Sequence, residues 1–509
     1  MSSKAYQDAV EHLNSLQSNA ATLDAVRASG GRSSEFAIPE MLEYLERIGY
    51  TSEQLNALNV IHITGTKGKG STSAFTDSIL RHAMPEWKVG LYTSPHLVAV
   101  RERIRINGLP ISEEVFAKYF FEVWDRLIVN NKGLIPTTPP MPGYFRFITL
   151  MAFHVFLEEK VDATVLEVGV GGTYDSTNIV PSPVVNGITA LGIDHVNVLG
   201  KTITEIAWQK GGIFKQSVPA FTVNQPADAM KMLESRAEEL KVCRLLAPFF
   251  LVKINSSNTN YQSGLAGRHQ VQNASLAISL SKRFLETRAG YSFQKQDLPA
   301  SFINGLAQTK WPGRCQTVPD PNRSDVIWCL DGAHTVESLQ CCMEWFVASG
   351  VGLPLVSEPQ NVSRFLVFNC TSGRSGETFL NAIAESIRSQ LAVNKMDVTN
   401  VATFFDHVIF CTNVTYADGH FKGDLTTKAI SKSDLEGLKT QQSLGSSWSS
   451  LFPTFPSDHI HVLPSIEHAV RLVETIQSVR SSAAKVLVTG SLHLVGGLIE
   501  VAALSEVAL

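Results

Sequence analysis

The stretch His62-Ile-Thr-Gly-Thr-Lys-Gly-Lys-Gly-Ser-Thr72 decides how the whole chain is interpreted. It follows a short apolar run, Val60-Ile-His-Ile63, that is typical of a strand, and it precedes a helical pattern over 71–84. Small residues let successive backbone N–H groups turn toward an anion, and a helix start adds a positive partial charge. We therefore predict a nucleotide triphosphate site over 65–71, with a glycine-rich structural turn as the alternative.

The loop is a variant of the common P-loop, G-x-x-x-x-G-K-[ST]. Counting back from the Gly68-Lys69 pair places Ile63, and not a glycine, at the first position of that pattern, and Gly70 follows the lysine. The Gly-Lys pair keeps the essential chemistry, because Lys69 would reach the outer phosphates of a nucleotide.

Apolar strands alternate with helical patterns on both sides of a Pro-rich break, which is typical of parallel α/β sheets. The predicted strands are 60–63, 89–92, 163–166, 184–193, 326–330, 365–369, 408–411 and 486–489. We predict an α/β fold with an N-terminal P-loop-type parallel-sheet ATPase domain and a smaller Rossmann-like α/β C-terminal domain. The predicted boundaries are 1–311 for the first domain, 312–325 for a linker and 326–509 for the second domain, with 413–456 as an insertion or long loop.

Composition excludes several classes of protein. The 509 residues carry a net charge of −4, so no basic excess exists to bind nucleic acid or an anionic membrane. Hydrophobic residues make up 44% and charged residues 18%, which excludes disorder as the main state. The seven cysteines are odd in number and form no CxxC pair, which favours reduced thiols in an intracellular protein. The most apolar stretch, 486–509, is interrupted by glycines and Glu500, and no membrane span is predicted.

Three polar residues follow predicted strands, where parallel sheets place their ligands. Glu167 ends an apolar strand, His195 follows another strand, and Ser94 lies in a loop after Val89–Tyr92. Such oxygens and one imidazole suit the Mg²⁺ that accompanies a triphosphate, although ordinary turn hydrogen bonds are the alternative. Lys210 lies in an otherwise apolar helical stretch, so it is either a buried lysine that needs a partner or a modification, or a surface lysine.

Eleven motifs in chain order together resemble the folylpolyglutamate synthases, a family of the Mur ligase superfamily. The Phe145-Arg-Phe147 and Trp208-Gln-Lys-Gly-Gly212 variants are similar to the eukaryotic branch of that family. The motifs cover 65–71, 93–105, 144–153, 166–172, 175–178, 192–195, 206–214, 267–273, 311–314, 331–334 and 489–493.

The resemblance implies roles for individual residues. The ATP-binding residues it implies are Gly65, Thr66, Lys67, Gly68, Lys69, Gly70, Ser71, Asn273, Arg314, Asp331 and His334. The implied Mg²⁺ ligands are Ser94, Glu167 and His195, and the implied catalytic residues are Lys69, His195 and Lys210. Lys210 matches a lysine that carries a carbamate in some relatives, and a monovalent cation such as K⁺ is a further implied cofactor. The segment 94–105 resembles the loop near the pterin-bearing substrate, and Ser491 and His493 match a region implicated in glutamate binding.

The resemblance also implies an activity, the ATP-dependent ligation of L-glutamate to the γ-carboxylate of tetrahydrofolate or its polyglutamates through an acyl phosphate. This reaction retains folates for one-carbon metabolism. A monomer is expected in the cytoplasm, with a mitochondrial pool as a further location. Two alternatives stay open: a dihydrofolate synthase, or bifunctional enzyme, acting on dihydropteroate, and a nucleotide-binding protein or NTPase without ligase activity.

Overall fold

The computed structural model describes most of the chain and separates it into two compact units. The described residues are 3–17, 36–131, 135, 138–242, 244–246, 263–293, 298–354, 362–370, 375–397, 401–418, 424, 438–479 and 483–509. The first unit comprises Met1–His96, Val100–Gly264 and Gln270–Lys310, and the second comprises Leu97–Ala99, Leu265–His269 and Trp311–Leu509.

The first unit contains both helices and strands. Its helices are α1 (Lys4–Ser15), α2 (Ala37–Arg47), α3 (Lys69–Ala83), α4 (Glu113–Val129), α5 (Tyr144–Glu158), α6 (Val196–Leu199), α7 (Ile203–Gly211), α8 (Ala227–Glu239), α9 (Gln270–Arg288) and α10 (Ala300–Gln308). Its strands are β1 (Val60–Thr64), β2 (Val89–Tyr92), β3 (Ile104–Ile106), β4 (Leu109–Pro110), β5 (Ala163–Glu167), β6 (Val185–Ile188), β7 (Pro219–Thr222) and β8 (Arg244–Leu246).

These strands form one sheet in the order β4-β3-β2-β5-β1-β6-β7-β8. The strands from β2 to β8 in that order are parallel, whereas β3 and β4 pair antiparallel at one edge. Every residue of β1 and β5 is buried, as expected for central strands that are covered on both faces. Ile63 pairs in register with Glu167, so the two strands end side by side.

The second unit has a smaller sheet. Its strands are β9 (Gln316–Pro319), β10 (Val326–Leu330), β11 (Val362–Phe368), β12 (His407–Cys411), β13 (Ile460–Leu463) and β14 (Ala483–Thr489). Their order in the sheet is β13-β12-β11-β14-β10-β9, in which β9 alone pairs antiparallel. Its helices are α11 (Val336–Phe346), α12 (Gly376–Val393), α13 (Lys439–Leu451), α14 (Ile466–Val479), α15 (Leu492–Val501) and α16 (Ser505–Ala508). The predicted α/β class is confirmed by these two sheets.

Three predictions about local structure need correction. The strand predicted over 184–193 ends at Ile188, because its neighbours β1 and β7 end at the residues paired with Ile188, namely Thr64 and Thr222. Beyond that point the N–H of Leu191 donates to the side chain of Gln225 instead of to a strand.

The segment interpreted as a linker, 312–325, contains β9, which completes the edge of the second sheet. The segment interpreted as an insertion or loop, 413–456, contains α13, whose Leu444 and Trp448 are buried in the core of the second unit. Residues 419–423 and 425–437 of that segment lie outside the described residues. Among the helices that are described, none combines the length and the apolarity needed to cross a membrane.

Candidate active site

The loop between β1 and α3 has a backbone that only glycine fits at two positions. Gly65 and Gly68 have φ values of +153° and +89°. A Cβ on Gly65 would lie 1.8 Å from Thr189 Oγ1, and one on Gly68 would lie 2.2 Å from Asn273 Oδ1. The loop is therefore pressed against two neighbouring elements, and any side chain at either glycine would displace it.

Two lysines converge on this loop. The Nζ atoms of Lys69 and Lys210 both donate to the carbonyl oxygen of Gly65, over 3.1 Å and 2.8 Å. Lys210 is buried, with 3% of its surface exposed. Burial, with the nearby charge of Lys69 as a smaller cause, lowers the pKa of Lys210 to about 7. Of the two open interpretations of Lys210, the buried lysine is confirmed.

Helix α9 packs against the loop and against the start of α3. The Nδ2 of Asn273 donates to Gln270 Oε1 over 2.8 Å, and Gln270 Nε2 lies 3.4 Å from Ser71 Oγ. Gln270 is fully buried, although sequence reasoning assigned a role only to Asn273. Their spacing could have indicated a role for Gln270, because residues three apart lie on the same face of a helix.

A buried carboxylate lies at the end of the neighbouring strand. Glu167, the last residue of β5, is 3% exposed, and its Oε2 is 3.4 Å from the backbone N of Ser94. Ser94 follows β2, which pairs with β5, so the sheet order brings these two predicted metal ligands together.

His195, the third predicted ligand, occupies the N-cap position of α6 with a φ of +50°. Its side chain is about half exposed (52%), and its Nε2 lies 3.9 Å from an oxygen of Asp194. Among the described residues, no group of three or more His, Cys, Asp or Glu side chains is arranged to hold a metal ion. The structure thus pairs Glu167 with Ser94 and leaves the assignment of His195 a prediction.

The segment 94–105 contains a buried cluster that sequence reasoning did not identify. Arg103 Nε donates to His96 Nδ1 over 2.9 Å, and both residues are buried. The guanidinium carbon of Arg103 lies 5.5 Å from the centre of the Tyr144 ring. This cluster joins two of the motifs on which the resemblance rests, 93–105 and 144–153.

The remaining predicted residues belong to the second unit. Asp331 follows β10 and is nearly buried, accepting hydrogen bonds from the backbone N–H groups of Cys315 and Ala333 over 2.8 Å and 2.9 Å. His334 Nδ1 lies 2.9 Å from the Gly332 carbonyl oxygen. A Cβ on Gly332 would lie 3.1 Å from Arg314 NH1, so the structure brings these predicted residues to one loop.

The two residues assigned to glutamate binding also lie in the second unit. Ser491 is the N-cap residue of α15, and its Oγ lies 3.4 Å from Asn413 Nδ2. His493 lies in the first turn of the same helix.

Known proteins share both sequence and fold with this chain. No family model matches the chain. The chain is similar to the folylpolyglutamate synthase of Saccharomyces cerevisiae, with 45% identity over 98% of this chain and 87% of the yeast protein. It is also similar to the solved structure of Mycobacterium tuberculosis folylpolyglutamate synthase complexed with ADP and AMPPCP, with a TM-score of 0.68, 21% identity, and coverage of 91% of this chain and 95% of that chain.

A third relative is the crystal structure of the Thermotoga maritima folylpolyglutamate synthase. Its TM-score is 0.64 at 25% identity, and the match covers 92% of this chain and 93% of that one. The solved structures show that the fold is shared. The identity to the yeast protein, which extends over nearly the full length of the chain, shows the family. The chain belongs to the folylpolyglutamate synthase family of ATP-dependent ligases.

Proposed function

We propose that this chain adds L-glutamate to the γ-carboxylate of tetrahydrofolate or its polyglutamates, with cleavage of ATP to ADP and phosphate. The observation that carries the proposal is the convergence of two lysines on the Gly65 carbonyl of a glycine-constrained loop that opens α3. A glycine-rich turn with a purely structural role would not concentrate two buried or half-buried cations at its centre.

The loop supplies the groups that a polyphosphate needs. Gly68 is the N-cap residue of α3, and having no side chain it leaves the first N–H groups of the helix uncapped. Lys69, in the first turn, adds a mobile positive charge. The solved M. tuberculosis relative was crystallised with ADP and AMPPCP, which supports ATP as a substrate of this chain.

The residues around Glu167 fit a hard divalent cation. A carboxylate that is 3% exposed needs a compensating cation or several hydrogen bonds, and the hydroxyl of Ser94 and the imidazole of His195 complete a donor set that Mg²⁺ accepts. We infer that Ser94, Glu167 and His195 would hold Mg²⁺, which when bound neutralises phosphate oxygens and polarises the γ-phosphate.

Lys210 fits the proposed carbamate. A carbamate forms when a neutral amine attacks CO₂ and releases one proton, and a pKa of about 7 leaves a substantial neutral fraction near neutral pH. The carbamate would replace a buried cation by an anion next to Lys69. We therefore propose a carbamate on Lys210. We also propose K⁺ as a monovalent cofactor.

The reaction follows in two steps. The γ-carboxylate of the folate attacks the γ-phosphorus of ATP, forming the acyl phosphate and releasing ADP. The amine of L-glutamate then attacks the acyl carbon, the amine loses a proton, and inorganic phosphate leaves as the amide forms. The attacking carboxylate and the polyphosphate are both anionic, so cationic groups such as Lys69 must lower their repulsion, while the rest of the rate enhancement comes mainly from positioning.

The decisive experiment uses purified protein with ATP, Mg²⁺, labelled glutamate and tetrahydrofolate, and it measures product mass. We expect a series of products that differ by one glutamate each. Dihydropteroate in place of tetrahydrofolate distinguishes a dihydrofolate synthase, and ATP hydrolysis that needs neither folate nor glutamate would indicate a simple NTPase and contradict the proposal.

A monomeric state and a cytoplasmic location, with a mitochondrial pool, stay predictions. Size-exclusion chromatography with light scattering tests the first, and cell fractionation followed by immunoblotting tests the second.

A further inference from the structure

A buried hydrogen-bond chain runs beside the turn that follows Glu167. It begins at His62 in β1, whose Nε2 lies 2.8 Å from Thr177 Oγ1. Thr177 Oγ1 donates to Asp175 Oδ1 over 2.6 Å. The second carboxylate oxygen of Asp175 accepts the backbone N–H of Val170 over 3.0 Å. His62 and Thr177 are fully buried, and neither has a role in the proposed reaction.

The chain fixes where each proton lies. The hydroxyl of Thr177 has one proton, which it donates to the carboxylate of Asp175, so it must accept from His62. His62 therefore carries a proton on Nε2. Burial, aided by the charge of Lys215, lowers the pKa of His62 to about 3, which agrees with the neutral form.

The other ring nitrogen of His62 shows that placing a histidine here costs free energy of folding. The Nδ1 is buried and makes no hydrogen bond to the described residues. A buried acceptor without a donor is unfavourable, and an apolar side chain in a central strand would avoid it. The histidine is therefore best explained by what its Nε2 holds in place.

The turn over 168–172 is attached to β1 at both ends. The N–H of Val168 donates to the Ile63 carbonyl oxygen over 2.9 Å, and the hydroxyl of Thr64 donates to the Gly171 carbonyl oxygen over 2.6 Å. Asp175 holds its middle through Val170. The turn begins one residue after Glu167, so its position sets the end of the strand that presents this carboxylate.

We propose that His62 and Thr177 are positioning residues, which act through Asp175 to hold the turn 168–172 and thereby fix the direction of the Glu167 carboxylate. Both residues are fully buried, so they act indirectly. What Glu167 binds rests on the proposed function, whereas the positioning of the turn does not.

The first test is hydrogen exchange of the metal-free, nucleotide-free protein. Thr177→Val keeps the shape of the side chain and removes the hydroxyl, so we expect exchange in 168–172 to accelerate about tenfold or more. Thr177→Ser should restore protection. Thr164→Val is the matched control, because Thr164 is a fully buried threonine of β5 whose hydroxyl makes no hydrogen bond to the described residues. Unchanged exchange in Thr177→Val would overturn the proposal.

The second test reads the histidine directly. In ¹⁵N-labelled protein, the ring of His62 should show a slowly exchanging proton on Nε2, and Thr177→Val should shift that resonance while Thr164→Val should not. A proton on Nδ1 would contradict the assigned chain.

The third test connects the turn to the reaction. We expect Thr177→Val to raise the Mg²⁺ concentration for half-maximal activity about tenfold while the KM for glutamate stays within about twofold. A Mg²⁺ requirement equal to that of the wild type would refute the link to Glu167. Failure of the proposed function can be distinguished from failure of the positioning role. In that case the wild-type protein itself would form no folate-dependent ADP.

Discussion

Each unit of the molecule places a loop and a helix after an interior strand, and the polar groups at the two junctions are arranged differently. In the first unit, β1 leads into two glycines and α3, and two lysines donate to one carbonyl oxygen. In the second unit, β10 leads into Asp331, whose carboxylate accepts two backbone N–H groups of its surroundings. Helix α11 is then capped by Thr335, whose side chain accepts from Ser338 N.

The difference shows which junction is built to receive an anion. At the second junction one of the first N–H groups of the helix is already capped by the Thr335 side chain, so fewer of these groups are open to an anion. A loop with an uncapped helix start and converging ammonium groups is incomplete without an anion. We expect variants at the first junction to lose phosphate-transfer chemistry, and variants at the second to lose local stability together with the ATP binding that the resemblance implies for Asp331.

The most severe test of this comparison is Lys69→Ala. We expect ADP formation to fall by about 10³-fold, because the lysine neutralises charge on the transferring phosphate. Circular dichroism and the melting temperature should change little, since Lys69 is not part of the buried core. Full activity in this variant would contradict the phosphate role of the loop.

Glu167→Gln tests the neighbouring strand end. The amide keeps the size of the side chain and removes its charge, so we expect activity at fixed Mg²⁺ to fall about 100-fold and the Mg²⁺ requirement to rise. Titration of activity against Mg²⁺ measures both. A variant with the metal dependence of the wild type would exclude Glu167 from the site.

Lys210→Met tests the buried cation of the first loop. The pKa of Lys210 is about 7 in the folded protein and 10.5 when unperturbed, so the folded state binds fewer protons between these values. The contribution of Lys210 to stability therefore improves as the pH rises from about 7 to 10.5, and the methionine variant should lack that rise. We expect its activity to fall about tenfold, because no carbamate can form.

Urea unfolding between pH 6.5 and 9.5 measures the stability effect of Lys210→Met. The wild type assayed with and without added bicarbonate tests the carbamate on its own. Stability curves of equal slope would show that Lys210 does not titrate in this range.

The smallest effect is expected for Asp331→Asn at the second loop. Its amide accepts the N–H groups of Cys315 and Ala333 less strongly than a carboxylate, and we expect a loss of about 1–3 kcal/mol in the unfolding of the second unit. Urea unfolding monitored by tryptophan fluorescence measures this loss. A reduction of activity as large as that of Lys69→Ala would show that the second junction is as important for the chemistry as the first.

Local patterns predicted the strands best where both faces of the strand are buried, as in β1 and β5. The stretch 60–71 could be interpreted from sequence because strand, glycines, lysine and helix start are contiguous. The helix Lys439–Leu451 was missed, since a serine-rich segment has weak helix propensity and the burial of Leu444 and Trp448 depends on distant partners. The strand over 184–193 was predicted too long, because apolar residues continue after the neighbouring strands have ended.

The site shows the same division. Lys69, Glu167, Asn273 and Lys210 were predicted as site residues from their motifs, but Gln270, the His96–Arg103 pair and the His62–Thr177 contact were not predicted. Each missed feature is a contact between side chains that are distant in the chain or whose importance depends on burial. Sequence shows which side chains can donate or accept, whereas the partner depends on the packing around them.

Amino-acid order alone fixed the residue types, their local periodicity and the contiguous loop that opens α3, because those depend on neighbours along the chain. Folding settled which groups share a partner, as when Lys69 and Lys210, which are far apart in sequence, meet at Gly65. The physical reason is that desolvation and hydrogen bonding act through space, so the pKa of Lys210 and the tautomer of His62 exist as properties of the packed protein and not of any segment of it.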